Sequence, residues 1–360
     1  MTINKTGKGI VLALLAFLTT ASVNAHHSSA PHFDANSPVT VEGVITEFKF
    51  VNPHAYLYID VTNSDGTVTN WNCEMSAASA LKRNGWSKEL FGPGKKIKID
   101  GIAARRDPHG CSFQAGELEG GFTITRNGPI ERSEAPEHVA ETDAYGGDTM
   151  SFAGNWQTQP RRRGGGRPGG GGGPPRMDRF TNILTDAGKE AAASYDERFD
   201  DPALECSPSS IIRAWGEPNG VSQIELHDDR AIIRHEFMDT VRTVYLDDRR
   251  MPDDFERGLT GFSVGNIDGN AMTIETTGFA AGVLLPHPGV MHTEDMRVVE
   301  TLTLSDDGQQ VVREYEVLDP QFLKEPYTGR SVWLRSDLPL TAYDCEELSG
   351  VSKIRPGQNE

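Results

Sequence analysis

The chain has 360 residues, with 52 acidic against 35 basic side chains, so its formal net charge at neutral pH is −17. That length accommodates two domains with separate cores. The acidic balance disfavours nucleic acid and anionic lipid as partners, because neither attracts a protein of the same sign.

The first 25 residues have the composition of a secretory signal peptide. Lys5 and Lys8 form a basic head, and residues 10–21 are a largely apolar run. A small-residue cleavage pattern follows and ends at Ala25. We therefore expect cleavage after Ala25, a periplasmic or secreted protein that begins with His26, and no membrane span in the mature form. The apolar run itself is too short for a permanent anchor.

Four cysteines form an even set, which in an exported chain indicates disulfide bonds. Their positions predict one bridge per domain, Cys73–Cys111 and Cys206–Cys345. The alternative is that thiol pairs bind a metal ion, and it is weaker because no Cys-x-x-Cys spacing occurs.

Residues 26–126 read as a small β domain. Strands are predicted at 39–48, with a bulge at Gly43, and at 55–61 and 67–75, the last two joined by an Asp65-Gly66 turn. A helix is predicted at 77–84, opened by Ser76 and closed by Gly85. Further strands are predicted at 96–102 and 121–124. This order predicts an OB-like, five-stranded barrel.

Residues 127–176 read as a linker. Pro, Glu and Gly accumulate there, and 161–176 consists wholly of Arg, Gly and Pro. Such a composition cannot bury a core, so we expect a disordered connection. The arginine-glycine run has the appearance of a nucleic-acid-binding tail, but export and the acidic remainder of the chain favour a solvated linker.

Residues 177–350 read as an antiparallel β domain, followed by a flexible tail at 351–360. A helix capped by Thr185 is predicted to reach residue 195. Strands are predicted at 223–226, 230–236, 242–246, 262–267, 271–277, 297–304, 310–318 and 331–335. Closely spaced strands with few helices predict a calycin-like barrel or a sandwich, and the fold class is all-β.

Two resemblances carry further expectations. The segments HHS at 26–28, NPHA at 52–55, RNGW at 83–86 and GPG at 92–94 resemble a family of exported bacterial domains of unknown function, over about 26–125. The second half is similar to a carboxy-terminal domain found in similar exported proteins of unknown function. There Gly154-Asn155-Trp156 resembles the Gly-x-Trp start of calycin (lipocalin-like) barrels, which would assign it to the second domain. Neither resemblance implies a reaction.

An amino-terminal histidine suggests a copper site. The α-amine and imidazole of His26 can chelate Cu(II), and a second imidazole would complete a histidine brace. His54 is the preferred partner, with His27, His32 and His109 as further candidates. The alternative is that these histidines pack at one end of the barrel without metal.

Aromatic residues suggest two further binding surfaces. Tyr56, Tyr58 and Trp71 could form a stacking face on the OB-like barrel. Phe262 and Trp333, together with Phe237 and Phe279, could line an apolar ligand cavity in the second barrel. In both places the alternative is that the aromatic side chains fill the core.

Whether the chain is an enzyme stays open. His235, Glu236, Asp239 and Arg242 form one polar group, and a second consists of Glu275, His287, His292 and Glu294. No nucleophile elbow, zinc-protease motif or phosphate loop accompanies them. We predict an exported, non-catalytic binding protein for copper or a small molecule. The alternatives are a secreted hydrolase- or isomerase-like enzyme, or a copper redox enzyme.

Overall fold

The computed structural model describes residues 32–119, 121–126, 128, 150–158, 180, 182–216 and 220–347. Within these residues the chain forms two β barrels and a few short helices, which confirms the all-β prediction. The predicted signal peptide, the arginine-glycine run and the tail at 351–360 lie outside the described residues.

The first barrel contains six strands and one helix. The elements are β1 Phe33–Lys49, β2 Tyr56–Thr62, β3 Val68–Glu74, α1 Ala78–Arg83, β4 Lys96–Ala104, β5 Gly110–Leu118 and β6 Phe122–Thr125. The strand order is β3-β2-β1-β4-β5-β6, and a parallel pairing of β3 with β5 closes the barrel. This arrangement confirms the OB-like prediction, with α1 between β3 and β4.

The fifth strand of this barrel is β5, which the sequence analysis missed. The prediction placed the last strand at 121–124, which is β6 at the sheet edge. Strand β5 pairs with β3, β4 and β6, and it is buried on both faces at its start. A strand covered on both faces shows no polar–apolar alternation, so its periodicity was hidden.

The predicted bulge at Gly43 was wrong. Gly43 keeps its register opposite Ile97 of β4, and the shift against β2 falls between Ile45 and Glu47. Gly43 is instead required by close packing, because a Cβ there would lie 2.3 Å from the backbone oxygen of Asp60.

The start of α1 is capped by a distant side chain. Ala77 occupies the N-cap position without a side-chain bond, so the predicted Ser76 cap was wrong. The Oδ1 atom of Asn52 accepts from the backbone N of Ser79 at 3.1 Å, while Gly85 closes the helix with a φ of 82°. Asn52 thus satisfies one of the free N–H groups of the first turn.

Both predicted disulfide bonds are present. Cys73 and Cys111 are register partners in the parallel β3–β5 pair, and their bond covalently joins the two strands that close the first barrel. Cys206 is bonded to Cys345, which comes after the last strand of the second barrel. Both bonds constrain the unfolded chain and thereby favour the folded state.

The second barrel is closed by nine strands. In chain order they are β7 Gly154–Thr158, β8 Val221–Leu226, β9 Arg230–His235, β10 Thr240–Tyr245, β11 Phe262–Asp268, β12 Ala271–Thr277, β15 Arg297–Leu304, β16 Gln310–Leu318 and β17 Tyr327–Arg335. The order around the barrel is β10-β11-β12-β15-β16-β17-β7-β8-β9. A barrel, and not a sandwich, is therefore formed. The parallel β10–β11 pair departs from a simple up-and-down arrangement.

A short hairpin and three short helices accompany this barrel. The strands β13 Gly282–Leu285 and β14 Val290–His292 form a separate hairpin. The helices are α2 Asp186–Ser194, α3 Glu197–Asp200 and α4 Ile211–Gly216. The hydroxyl oxygen of Thr185 accepts from Gly188 N at 3.0 Å, which confirms the predicted helix cap.

The Gly-x-Trp segment lies on β7, the strand that pairs with both β17 and β8 and so closes the barrel. Trp156 on β7 is fully buried, and the guanidinium of Arg335 at the end of β17 lies 4.3 Å from its ring centroid. Arg335 also donates to the backbone oxygens of Ala153 and Ser151 at 2.9 and 2.8 Å. One cation–π contact and two hydrogen bonds therefore bind β7 to β17.

The segment after β17 connects the two barrels. Cys345 forms an isolated β-bridge with Asn52, whose side-chain amide donates to the backbone oxygen of Tyr343. Arg83 at the end of α1 pairs with Glu236, which is only 1% exposed. One residue from each of the NPHA and RNGW segments therefore takes part in the contact with the second half of the chain.

Candidate functional site

A polar layer crosses the interior of the second barrel. Its members lie on five neighbouring strands from β10 to β16, and each is at most 1% exposed: Arg242, Ser263, Thr276, Glu300 and Arg313. Each occupies an inward position of its strand, in phase with apolar neighbours.

The two arginines share one carboxylate. Arg242 donates through Nη2 to Glu300 Oε2, and Arg313 donates through Nε to Glu300 Oε1 at 2.7 Å. Arg242 also donates to Ser263 Oγ at 2.9 Å and to Thr276 Oγ1 at 3.1 Å. Even so, Arg242 Nη1 and Arg313 Nη2 have no hydrogen-bond partner among the described residues.

The layer carries a net positive charge. Burial by itself would raise the pKa of Glu300, but Arg242 and Arg313 outweigh that effect and hold the pKa at about 2. Glu300 is therefore a carboxylate at neutral pH, opposite two guanidinium groups. One positive charge remains without a counter-charge inside the layer, and such a charge is costly to bury.

A neutral histidine adjoins the arginines. Burial, together with repulsion from Arg242 and Arg313, lowers the pKa of His235 to about 3. His235 Nδ1 is 2.7 Å from Ser222 Oγ, and its ring lies 4.7 Å from Trp215. His235 Nε2 and Trp215 Nε1 have no hydrogen-bond partner in the part of the chain that the structure describes.

Apolar clusters lie on both sides of this layer. Arg313 lies 4.4 Å from the ring of Tyr315, which belongs to one cluster, and 5.4 Å from the ring of Trp215, which belongs to the other. Helix α4 joins both, because Ile211 packs into the Tyr315 cluster while Trp215 packs into the second. The polar groups are thus enclosed in apolar surroundings, where electrostatic interactions are strong.

The candidate copper ligands are only partly visible. His26 and His27 lie outside the described residues, so the brace stays a prediction. His54 Nδ1 lies 3.4 Å from both Met75 O and Glu74 Oε1. Among the described residues no three His, Cys, Asp or Glu side chains are grouped as metal ligands.

His109 lies on the loop between β4 and β5, with its ring 5.5 Å from that of Trp71. On the same loop, the backbone N of Arg105 donates to His32 O at 2.8 Å. His32 therefore contacts the first barrel at the loop that carries His109.

The three aromatic residues of the first barrel do not share one face. Tyr56 and Tyr58 alternate with the buried Leu57 and Ile59 and point outward, and Tyr56 donates to Glu74 Oε2 at 3.1 Å. Trp71 is partly buried and packs against the core.

The aromatic residues predicted to line the second barrel also separate. Trp333 is buried inside it, 4.9 Å from Trp215. Phe262 follows the opposite phase to Ser263 and packs against Tyr245 and Phe255. Phe237 packs against Tyr343 at the segment that connects the barrels, and Phe279 packs against His292.

The two polar groups proposed for catalysis occupy different surroundings. His235 and Arg242 belong to the barrel layer, whereas Glu236 pairs with Arg83. Glu275 forms an exposed pair with Arg297, and the Nδ1 atom of His287 lies 3.1 Å from Glu197. His292 and Glu294 lie near the β13–β14 hairpin, outside the nine-stranded sheet.

Two residues that complete the barrel layer, Glu300 and Arg313, were not predicted from the sequence. Glu300 lies between the inward-facing Val298 and Leu302, and Arg313 lies between Val311 and Tyr315. A charged residue in phase with the apolar side of a strand is the signal that identifies them, because an unpaired charge is rarely placed there.

Glu300→Gln should lower the free energy of unfolding by about 3–5 kcal/mol, since it leaves two buried guanidinium groups without a carboxylate. Glu275→Gln is the matched control, and the loss of its exposed pair with Arg297 should cost about 0–1 kcal/mol. Urea unfolding at neutral pH measures both. Equal costs for the two variants would contradict the assigned role of Glu300.

His235 should make stability depend on pH. In the unfolded chain His235 becomes protonated below about pH 6.5. In the folded protein it stays neutral until about pH 3. The free energy of unfolding should therefore fall with decreasing pH in this window, by up to about 1.4 kcal/mol per pH unit. His235→Asn should flatten this slope. An unchanged slope in His235→Asn would refute the assignment.

Comparison with known proteins gives a family resemblance but no activity. In the described segments, no helix combines the length and the apolar character that crossing a bilayer demands. A search of curated proteins finds no match. Among solved structures, the chain is similar to the crystal structure of a mutant of the fluorescent protein UnaG, with 11% identity, coverage of 51% of this chain and 96% of that chain, and a TM-score of 0.23.

Residues 14–112 match the model of a family described as a family of unknown function (DUF6152). This range includes the NPHA and RNGW segments and ends within β5. The match confirms the resemblance that those segments indicated. The amino-terminal region of this chain is thus similar to the domains of a family whose function is unknown.

Proposed function

We propose that this chain is an exported, non-catalytic binding protein whose second barrel takes a small organic anion of the carboxylate class. The observation that carries the proposal is the unbalanced charge of the barrel layer. Two guanidinium groups face one carboxylate, and Arg242 Nη1 and Arg313 Nη2 are buried without acceptors among the described residues. An anion bound there would supply both the missing charge and the missing acceptors.

The chemistry of the free donors suits a carboxylate. Guanidinium N–H groups bind carboxylate oxygens through short, charge-assisted hydrogen bonds. Trp215 Nε1 is a further buried donor that has no partner in the described part of the chain, and its ring lies 5.4 Å from the guanidinium carbon of Arg313. The apolar clusters on both sides of the layer would contact the hydrocarbon part of the same molecule.

Export is supported by the two disulfide bonds, because such bonds persist in oxidising compartments. The basic and apolar composition of residues 1–25 supports the same location.

Titration with hexanoate, and with hexanol as the neutral counterpart, tests the ligand class. We expect hexanoate to bind and to raise the thermal midpoint of the wild type, while hexanol does neither. Arg313→Met should weaken hexanoate binding by about tenfold or more, since it removes a charged hydrogen-bond donor. Calorimetry measures the affinities.

Arg297→Met is the matched control, because Arg297 lies on β15 with its side chain 44% exposed. It should leave hexanoate binding unchanged. Equal binding of hexanol and hexanoate, no midpoint shift with hexanoate, or undiminished binding in a folded Arg313→Met variant would each overturn the proposal.

A second candidate function is copper binding at the mature amino terminus. It is favoured by the path of the chain, because His32 meets the loop that carries His109. Five residues lie between His26 and His32, and the six steps of chain that join the two can span about 20 Å, so the α-amine of His26 can reach this loop. Amine and imidazole nitrogens suit Cu(II). His109 then replaces His54 as the preferred second imidazole.

Copper titration of the mature protein, with its first residue confirmed by mass spectrometry, tests this site. One alanine inserted before His26 should abolish tight one-to-one binding, because it moves the α-amine away from the imidazole. His109→Asn should weaken binding more than His54→Asn does. Equally weak binding by all four proteins would refute the copper site.

A further inference from the structure

A pocket lies outside the second barrel, between α2 and the β13–β14 hairpin. Its volume is about 620 Å³. Small and apolar residues form much of its wall: Ala191, Ala281, Gly282, Met291 and Phe322. Its polar members include His292, Glu294 and Asp295, and none of the residues of the arginine layer lines it.

The imidazole of His292 offers one free acceptor to this pocket. His292 is 2% exposed, and its Nδ1 atom is 3.1 Å from the backbone oxygen of Thr293. A carbonyl oxygen only accepts, so Nδ1 carries the proton and Nε2 has the lone pair. Among the described residues the hydrogen bond of this ring is made by Nδ1, and a Cβ built at Gly282 would lie 3.5 Å from Nε2.

Three acidic side chains lie in or beside this pocket. Glu294 and Asp295 line the pocket, and the carboxylate of Asp319 accepts from Thr293 N at 2.6 Å and from Thr293 Oγ1 at 3.0 Å. One opposing charge is close, since Arg257 Nε lies 3.5 Å from Glu294 Oε2. These three carboxylates therefore outweigh the charge of Arg257.

His292 itself adds no positive charge at neutral pH. Burial lowers its pKa, and this effect outweighs the opposing influence of the Thr293 carbonyl and of Asp319. The pocket thus combines a neutral imidazole acceptor, an acidic margin and apolar walls.

We propose that this pocket binds a small organic ammonium ion, which donates an N–H to His292 Nε2. The apolar body of the ligand packs against Ala191, Met291 and Phe322, and Glu294 and Asp295 supply the countercharge. This site is independent of the anion proposed for the barrel interior, because it uses none of the same residues. A metal ion is a poorer occupant, since among the described residues no three ligating side chains are grouped together.

Titration with cyclohexylammonium, cyclohexanol and cyclohexanecarboxylate tests the proposal on the full chain. We expect only the ammonium to shift the His292 ring resonances in nitrogen–proton spectra. Gly282→Ala should weaken ammonium binding by at least about tenfold, because the new methyl group covers Nε2. Its backbone lies outside the positive-φ region, and the added Cβ makes only ordinary contacts, so the fold is kept.

Gly258→Ala is the matched control, because a Cβ there meets no atom within 4 Å, and it should bind like the wild type. His292→Asn gives a second check, since the amide can retain the bond to Thr293 O while Nε2 is lost. Equal shifts with the alcohol or the acid, no shift with the ammonium, or unchanged affinity in Gly282→Ala would each overturn the proposal.

Discussion

The carboxylate of Glu300 links the neighbouring strands β15 and β16 to β10, which is distant from both in sequence. It accepts hydrogen bonds from Arg242 on β10 and from Arg313 on β16, while Glu300 itself lies on β15. An apolar interior makes these bonds strong and makes any loss of a partner costly. Because one carboxylate faces two guanidinium groups, one arginine charge stays uncompensated in this layer. The residue that stabilises the barrel therefore also defines the site at which we propose an anion.

The NPHA and RNGW segments, which carry the family resemblance of the first barrel, also contribute to its contact with the second barrel. Asn52 accepts a bond from the first turn of α1 and donates to Tyr343, and Arg83 pairs with the buried Glu236. The disulfide at Cys345 fixes the connecting segment to the second barrel. Asn52 and Arg83 therefore have a structural role in this chain.

The candidate sites show where sequence reasoning reaches its limit. It selected His235 and Arg242 because they lie close together along the chain, and both belong to the barrel layer. It missed Glu300 and Arg313, because Glu300 is 58 residues from Arg242 and 13 residues from Arg313 along the chain. Similarly, His292 was grouped with Glu275 by proximity in sequence, although Glu275 pairs with Arg297 on the exposed side of the sheet.

Alternation, turn residues and cysteine positions determined most of the architecture by themselves, because each is a local or a pairwise signal. They predicted eight strands of the second barrel, the Thr185 cap and both disulfide bonds. Only the tertiary structure decided that β5 closes the first barrel and that Asn52 caps α1. It also decided which charges share the barrel interior. Each of these depends on contacts between residues far apart in the chain, and no local pattern records the burial that such contacts create.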